Sequence, residues 1–487
     1  MRGEALAFAA VLTAALTAGC ASVDPRASFE EVRQTVAGRH PGEAVWIRDD
    51  EALAAAGSRS RELLAAPLTA DAAAEVALLR NPSLQGALEE LGIAQADLAR
   101  ATRLANPGLS VARLSDGDAR RRTVAITGDL LDWLVQPLRR RAAEAEVERV
   151  RLEAGRALLE TVAAARTALV RFQAGEALAA RLAAIEEVDR AAADYAAALH
   201  EAGNLTAVER ANAEAGWAET RATLGRARLE RARRREGVVR ALGLAGEEEW
   251  RAAEIAPAPA EAELDPARLE ELAVAERLDL AAARWAVDAL ERALALTRRT
   301  RLAPLGIEVG VEREREPDGV ELTGPVLELR LPLFDTGKAS VARLESELAR
   351  ARWQLAALEG QARSEVRERL AELAAGRELA ALHREVLLPR RREVLQGTLL
   401  EHNQMVVGTF DVLLARQREI AAEAGAVEAL ADYWTAWYAL ERAVGVALAP
   451  PGEPVPAVQQ HENHDMHHHG EEDRSTGAGD TRREETR

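Results

Sequence analysis

Apolar residues recur at three- and four-residue steps over very long stretches of this chain, and at two-residue steps in only a few short ones. Leu178, Leu182, Ile185, Val188, Ala192, Tyr195 and Leu199 form one stripe, with arginine, glutamate and alanine around the rest of the turn. That is the seam of a helix packed along its length against others. The run holding this stripe extends from about Leu138 to Ala202, which at about 1.5 Å per residue makes a helix on the order of 95 Å long. No compact globule has room for it. Elsewhere Ile307, Val309 and Val311 alternate with Glu308, Gly310 and Glu312, and Leu327, Leu329 and Leu331 alternate with Val326, Glu328 and Arg330. Period two with one apolar and one polar face predicts strands.

The elements occur twice in the same order. A helical segment from about Thr69 to Ala105 leads to "NPGLSVARLS", a polar turn and "RRTVAITGDLLDWLVQP". The long run follows, "GNLT" interrupts it, and another helix continues to about Leu244. The second copy starts with a helix from about Asp265, then "APLGIEVGVERE", a "PDG" turn and "VELTGPVLELRLPLFDTG". A long run from about Lys338 to Val407, "GTFD" and a helix to about Val446 complete it. Pro107 and Pro304, and Gly203 and Gly408, are separated by nearly the same interval, the mark of a duplication. Pro389 is expected to bend the second long run. The chain divides into residues 1–19 (signal peptide), 20–60 (N-terminal extension), 61–250 (first repeat), 251–264 (linker), 265–448 (second repeat) and 449–487 (tail).

Two breaks, "AGNLTAV" and "VGTFDVLL", lie between helices that otherwise carry little glycine. Gly203 and Gly408 are expected to supply the left-handed backbone that ends a helix and reverses the chain. Thr206 and Thr409 are expected to cap the outgoing helices, with Asp411 complementing the N-terminal dipole. The lone His200, His383 and His402 are expected to be surface residues.

Alanine, leucine, glutamate and arginine dominate the composition, as in long helices. A net charge of −17 argues against nucleic acid as a partner. Beyond the N-terminus every apolar stretch is broken by arginine or glutamate, so a membrane crossing would have to be made by strands. Four strands cannot close a barrel, so a membrane-spanning chain must associate with copies of itself. A half-buried sheet of a water-soluble protein has the same alternation. There is no phosphate-binding glycine loop, nucleophile elbow or HExxH, and no enzyme is expected.

Both ends carry separate signals. Arg2 precedes an apolar run from Ala5 to Ala18, too short to span a bilayer but suited to a secretory signal. It ends in "LTAGC", and Cys20 is the only cysteine, so no internal disulfide exists. Ala18 and Gly19 resemble the end of a bacterial lipoprotein signal, in which Cys20 would be lipidated; Ala21 after it then implies the outer membrane. Plain signal cleavage, or an incidental cysteine, is the alternative. At the other end, "APPGEPVPAV" is an extended spacer, followed by a segment whose composition forms no packed core. His461, His464, Met466, His467, His468 and His469 cluster there; imidazoles suit Cu, Zn and Ni, and the thioether adds a preference for Cu(I). A solvated polar tail is the plainer alternative.

"LLRNPSLQGA", "LPLFDTG", "AGNLT" and "VGTFDVLL", in this order and spacing over residues 60–448, give the chain its resemblance to the TolC family of outer-membrane efflux factors. The second copy reads "AERLDLAAA" where the first has Asn-Pro. The resemblance implies a mainly α fold with a small transmembrane β part, built from a duplicated helix-strand-strand-long helix-turn-helix repeat. It implies a homotrimer whose twelve-stranded β-barrel in outer-membrane lipid continues as an α-helical tunnel in the periplasm. Such a duct is passive and needs no cofactor; its partners are an inner-membrane pump and a periplasmic adaptor. The adaptor would dock at the tip formed by Gly203, Asn204, Leu205, Thr206, Gly408, Thr409, Phe410 and Asp411. Asp411 would line the pore entrance, and Leu414 stands where a second acid is expected. The tail points to heavy-metal ions such as copper or zinc as cargo, with organic toxicants or peptides as alternatives. A structural or metal-sequestering coiled-coil lipoprotein of the envelope, which never crosses the membrane, is the competing class.

Overall fold

A computed structural model of the chain describes residues 26–116, 119–245, 249–258, 264–300, 306–330 and 336–448. Cys20, Pro304 and the histidine cluster from His461 to His469 lie outside the described residues. The first half contains α1 (Arg26–Thr35), α2 (Asp50–Ala65), α3 (Ala70–Arg80), α4 (Pro82–Ala101), β1 (Gly108–Asp116), β2 (Ala119–Asp129), α5 (Leu130–Glu201) and α6 (Ala207–Leu242). The second contains α7 (Pro266–Glu276), α8 (Leu278–Thr300), β3 (Gly306–Arg315), β4 (Glu321–Arg330), α9 (Lys338–Leu382), a π-helical turn (His383–Leu387), α10 (Leu388–Asn403) and α11 (Thr409–Val444). The protein is mostly helical with one small antiparallel sheet.

Helix α5 has 72 residues, a length of about 108 Å at roughly 1.5 Å per residue. It begins at Leu130, not at Leu138 as the sequence suggested. The Asp129 carboxylate accepts the Asp132 N–H at 3.1 Å and caps the start, and the helix runs through Pro137 with one backbone donor missing. Pro389 has a different outcome. The second long run is two helices, joined by a wide turn in which the Leu388 N–H reaches back to the His383 carbonyl. Pro389 has no N–H and its ring crowds the carbonyl four residues earlier; widening the preceding turn relieves that conflict. The His383 ring lies against Gly425 of α11, where a Cβ would come within 2.4 Å of Cε1.

Helix α5 is the spine, packing against α6 on one side and α11 on the other, while α9 packs on α11 and α8. Three apolar clusters lie along this wall. In the first, Val32 and Val36 join Leu84, Leu88 and Leu91 of α4 with Val150 and Leu158 of α5. The N-terminal extension is therefore folded onto the helices. Phe29 meets Trp46 at 5.8 Å, and Arg39 donates to Glu276 Oε2 at 2.7 Å and to the Gly445 carbonyl at 3.2 Å. The second cluster joins Leu269, Val366, Leu373, Trp437 and Leu440. The third joins Leu68, Val76, Phe172, Leu242 and Trp250. The linker is strapped to the wall by Gln173 donating to the Ala253 carbonyl at 2.7 Å and Trp434 to the Ala256 carbonyl at 2.7 Å.

The departure "AERLDLAAA" performs the task of "RNPS" with other groups. In the first half Asn81 breaks α3 from α4, caps α4 through the Ser83 and Leu84 N–H groups, and donates to the Ala241 carbonyl at 2.8 Å. In the second, Arg277 separates α7 from α8 and donates to the Ala443 carbonyl at 3.2 Å, while Asp279 accepts the Leu280 N–H at 2.9 Å. Both carbonyls belong to the last turn of a helix that ends at a left-handed glycine, Gly243 or Gly445.

The sheet has the order β1-β2-β3-β4, every pair antiparallel. Within the chain β1 and β4 are its unpaired edges. Registers such as Leu109↔Ile126, Ile126↔Val311 and Val309↔Leu327 gather one apolar face. On it Leu109, Val111, Val311, Leu327 and Leu329 are exposed. The other face is mainly polar: Glu312 and Glu314 are half-buried and Arg121 pairs with Glu314 at 2.7 Å, with Leu114 and Leu322 exposed near the hairpin ends. Among the described residues no helix is long and apolar enough to cross a membrane.

Candidate functional site at the two helical turns

Each long helical run ends in a turn built from the same hydrogen bonds. At the end of α5, the Gly203 N–H donates to the His200 carbonyl at 2.9 Å and the Asn204 N–H to the Leu199 carbonyl at 2.8 Å. At the end of α10, the Met405 N–H donates to His402 at 2.8 Å and the Val406 N–H to Glu401 at 2.9 Å. Both are helix stops that need one left-handed residue. Gly203 has φ 75°; its counterpart is Met405, with φ 63°. Gly408 has φ −82° and ψ 168°, ordinary extended backbone. The expectation that Gly408 supplies the left-handed turn is therefore corrected.

Gly408 corresponds instead to Thr206. Each is the residue before an outgoing helix. The Thr206 hydroxyl accepts the Glu209 N–H at 3.2 Å, and the Glu209 carboxylate accepts the Thr206 N–H at 2.9 Å and its hydroxyl at 2.7 Å. The Thr206 hydroxyl, and after it the backbone N–H, hold the Glu209 carboxyl below the usual carboxylate range. In the second turn Gly408 stands at the cap, so Thr409 is the first helical residue and not the cap expected of it. Half of the reciprocal box survives, with Asp411 accepting the Gly408 N–H at 3.0 Å.

Two histidines complete the match. His200 Nδ1 lies 2.8 Å from the Leu205 carbonyl, and His402 Nδ1 lies 3.1 Å from the Val407 carbonyl. Each ring ties the last helical turn to the residue before the cap of the next helix. The sequence reading missed them because it treated each histidine alone. The signal was a shared offset linking His200 with His402, Gly203 with Met405, Thr206 with Gly408 and Glu209 with Asp411.

The structure brings the two turns to one end of the wall. The Phe410 ring meets Tyr195 of α5 at 5.3 Å, and farther up Arg181 pairs with Glu423 at 3.1 Å. Tyr195, expected within the α5 seam, is partly exposed and contributes this ring contact. Met405 is 94% exposed, Val406 68% and Val208 69%, so apolar side chains project outward from this end among exposed polar ones. Gly203, Asn204, Thr206, Gly408 and Asp411 are exposed, and Leu205 and Thr409 half-buried. Such an end can bind by apolar contact and shape. Among the described residues no three histidine, cysteine, aspartate or glutamate side chains gather as a metal-binding group.

No protein-family profile matches the sequence, and no curated protein matches it. Solved structures do match. The Campylobacter jejuni CmeC outer membrane channel superposes with a TM-score of 0.65 at 13% identity, over 77% of this chain and 85% of that one. The outer membrane protein VceC of Vibrio cholerae gives 0.62 at 17%, over 80% and 97%. The open state of the Neisseria gonorrhoeae MtrE outer membrane channel gives 0.60 at 16%, over 81% and 91%. The chain has the fold of the TolC-family outer-membrane channels.

Proposed function

We propose that this protein is the passive outer-membrane exit duct of a tripartite efflux system and works as a homotrimer. One observation carries the reading: a four-stranded sheet with two unpaired edges and an exposed apolar face, joined directly to a 72-residue helix. Open edges are not stable in lipid, and four strands do not close. Three copies supply twelve strands and close a barrel, with apolar side chains toward lipid and the Glu312 face toward water. The free flank of the helical wall supports association too, because Leu379, Leu382, Val386 and Val394 are exposed along α9, the π turn and α10.

In this reading the helices run into the periplasm, and the paired turns form the tip to which a periplasmic adaptor docks. Met405, Val406 and Val208 supply the apolar contact, around the backbone of Gly203, Asn204, Leu205, Thr206, Gly408, Thr409 and Phe410. Three copies of Asp411 then surround the entrance. Energy comes from an inner-membrane pump. Cys20 bears a lipid that adds a second anchor in the outer membrane. The cargo we favour is heavy-metal ions, on the strength of the tail from His461 to His469, with organic toxicants as the alternative.

The test is reconstitution of the detergent-extracted protein into planar bilayers, together with cross-linking to the cognate adaptor from cysteines placed at Asn204 and Val406. The duct reading expects trimer conductance and adaptor cross-links at both positions. A protein recovered as a water-soluble helical rod, silent in bilayers, would instead be the envelope lipoprotein.

A further inference from the structure

The exposed face of the sheet changes character along its length. Toward the helices it carries Leu109, Ile126, Val309, Leu327 and Leu329; toward the hairpin ends it carries Arg113, Arg122, Arg313 and Arg315. Arg113 stands directly opposite Arg122, and Arg122 opposite Arg315. All four are exposed. Like charges on facing strand positions repel. Among the described residues the acid within ion-pair reach of the four is Glu321, 3.9 Å from Arg315. Glu314 and Glu316 pair with Arg121, at 2.7 and 3.6 Å; the alternation of β2 and β3 places that Arg121–Glu314 contact on the opposite face.

We propose that this face binds an acylated, phosphorylated lipid of the outer leaflet, its phosphates held by Arg113, Arg122, Arg313 and Arg315 and its acyl chains laid on the apolar rows. The inference rests on the duct reading, which directs the hairpins outward and this face to lipid. Guanidinium groups bind phosphate through paired N–H donors, and facing arginines tolerate one another when an anion bridges them. A soluble anion would leave the apolar rows bare. A lipid with a phosphorylated head group covers both parts of the face in the right order.

Native mass spectrometry of the detergent-extracted trimer, titrated with diphosphoryl lipid A and its dephosphorylated form, tests this. Phosphate recognition predicts clear preference for the diphosphoryl form. The R113Q/R122Q/R313Q/R315Q variant should bind it at least about tenfold more weakly, since one basic residue near a charged lipid surface is worth roughly fivefold. A variant with lysine at all four positions keeps the charge and should fall between the two. Replacing Arg343 and Arg384, exposed on α9 and the π turn, should change nothing. Equal affinity of wild type and the glutamine variant, or equal binding of both lipid forms, overturns the proposal. So does displacement of the lipid by equimolar inorganic phosphate. Recovery of wild-type protein without detergent would be a failure of the duct reading itself; a detergent-embedded trimer with unselective adducts contradicts only the lipid site.

Discussion

Gly203→Val and Gly408→Val look alike in sequence and should behave differently. Neither site is crowded: nothing lies within 4 Å of a Cβ at Gly203, and at Gly408 only the Asp411 carboxylate does, at 3.6 Å. The contrast therefore comes from the backbone. At φ 75° a β-branched residue is strained, by roughly 1–2 kcal/mol for the left-handed region. At φ −82° and ψ 168° valine is at ease, and replacing glycine restricts the unfolded chain, so the effect is about zero or slightly stabilising. The readout is hydrogen exchange at the Asn204 amide, which bonds to the Leu199 carbonyl at 2.8 Å. A loss of about 1–2 kcal/mol in the local opening free energy speeds its exchange by roughly 5- to 30-fold. Gly408→Val should leave the Val406 amide within about twofold of wild type. Equal acceleration in both turns, or a larger effect from Gly408→Val, would refute the assignment of Met405 as the left-handed residue.

Arg277→Met should destabilise the protein by about 2 kcal/mol, less than the roughly 3–5 kcal/mol typical of a broken buried pair, because Glu365 retains Arg442. It should also flatten the acid limb of thermal stability. Burial pushes Asp279 and Glu365 up, but the hydrogen bonds and charge of Arg277, with Arg442 aiding Glu365, hold both below the usual carboxylate range. Their folded values lie below their unfolded ones, so the stabilisation is complete above about pH 5 and is lost as pH falls through about 4 and below. An unchanged acid limb in a melting series from pH 7 to 3 would contradict this. Cys20→Ser should remove the lipid and leave the protein in the outer-membrane fraction, since one acylated terminus is a minor anchor beside a barrel; release as soluble protein in fractionation would oppose the spanning reading. Deleting residues 459–487 should leave the trimer intact and abolish most Cu and Zn uptake measured by titration calorimetry, uptake that in the full chain weakens below about pH 6.5 as imidazole protonates.

Much of this architecture was legible because it depends on period alone. The three- and four-residue steps of α5 and the two-residue steps of β3 need no knowledge of neighbours. The Thr206 cap could be read locally too, since Thr-x-x-Glu is a reciprocal capping pattern. Features set by geometry were not legible. Met405 in a left-handed conformation contradicts residue preference and is imposed by the helix stop around it. Gly408 was matched to Gly203 by identity, whereas the hydrogen bonds match it to Thr206. Pro137 precedes the long run as the sequence bounds it, yet a helix absorbs it, whereas Pro389, inside the second run, is preceded by a π turn. Arg277 gave no sign of replacing Asn81, because its role depends on a carbonyl 166 residues away.

The central claim, closure of the sheet between copies, is tested most directly by disulfide trapping across its edges. In a Cys20→Ser background, Ala112→Cys on β1 is combined in turn with Gly324→Cys, Val326→Cys and Glu328→Cys on β4, all on the face opposite the apolar one. Within one chain these edges are three strand spacings apart, about 14 Å, beyond the roughly 7 Å that a disulfide spans between Cα atoms. A bond can therefore form only between copies. The account predicts that at least one pair, oxidised in the membrane, runs as a covalent trimer on an unreduced denaturing gel and collapses to monomer on reduction. Monomer bands alone from all three pairs would contradict it.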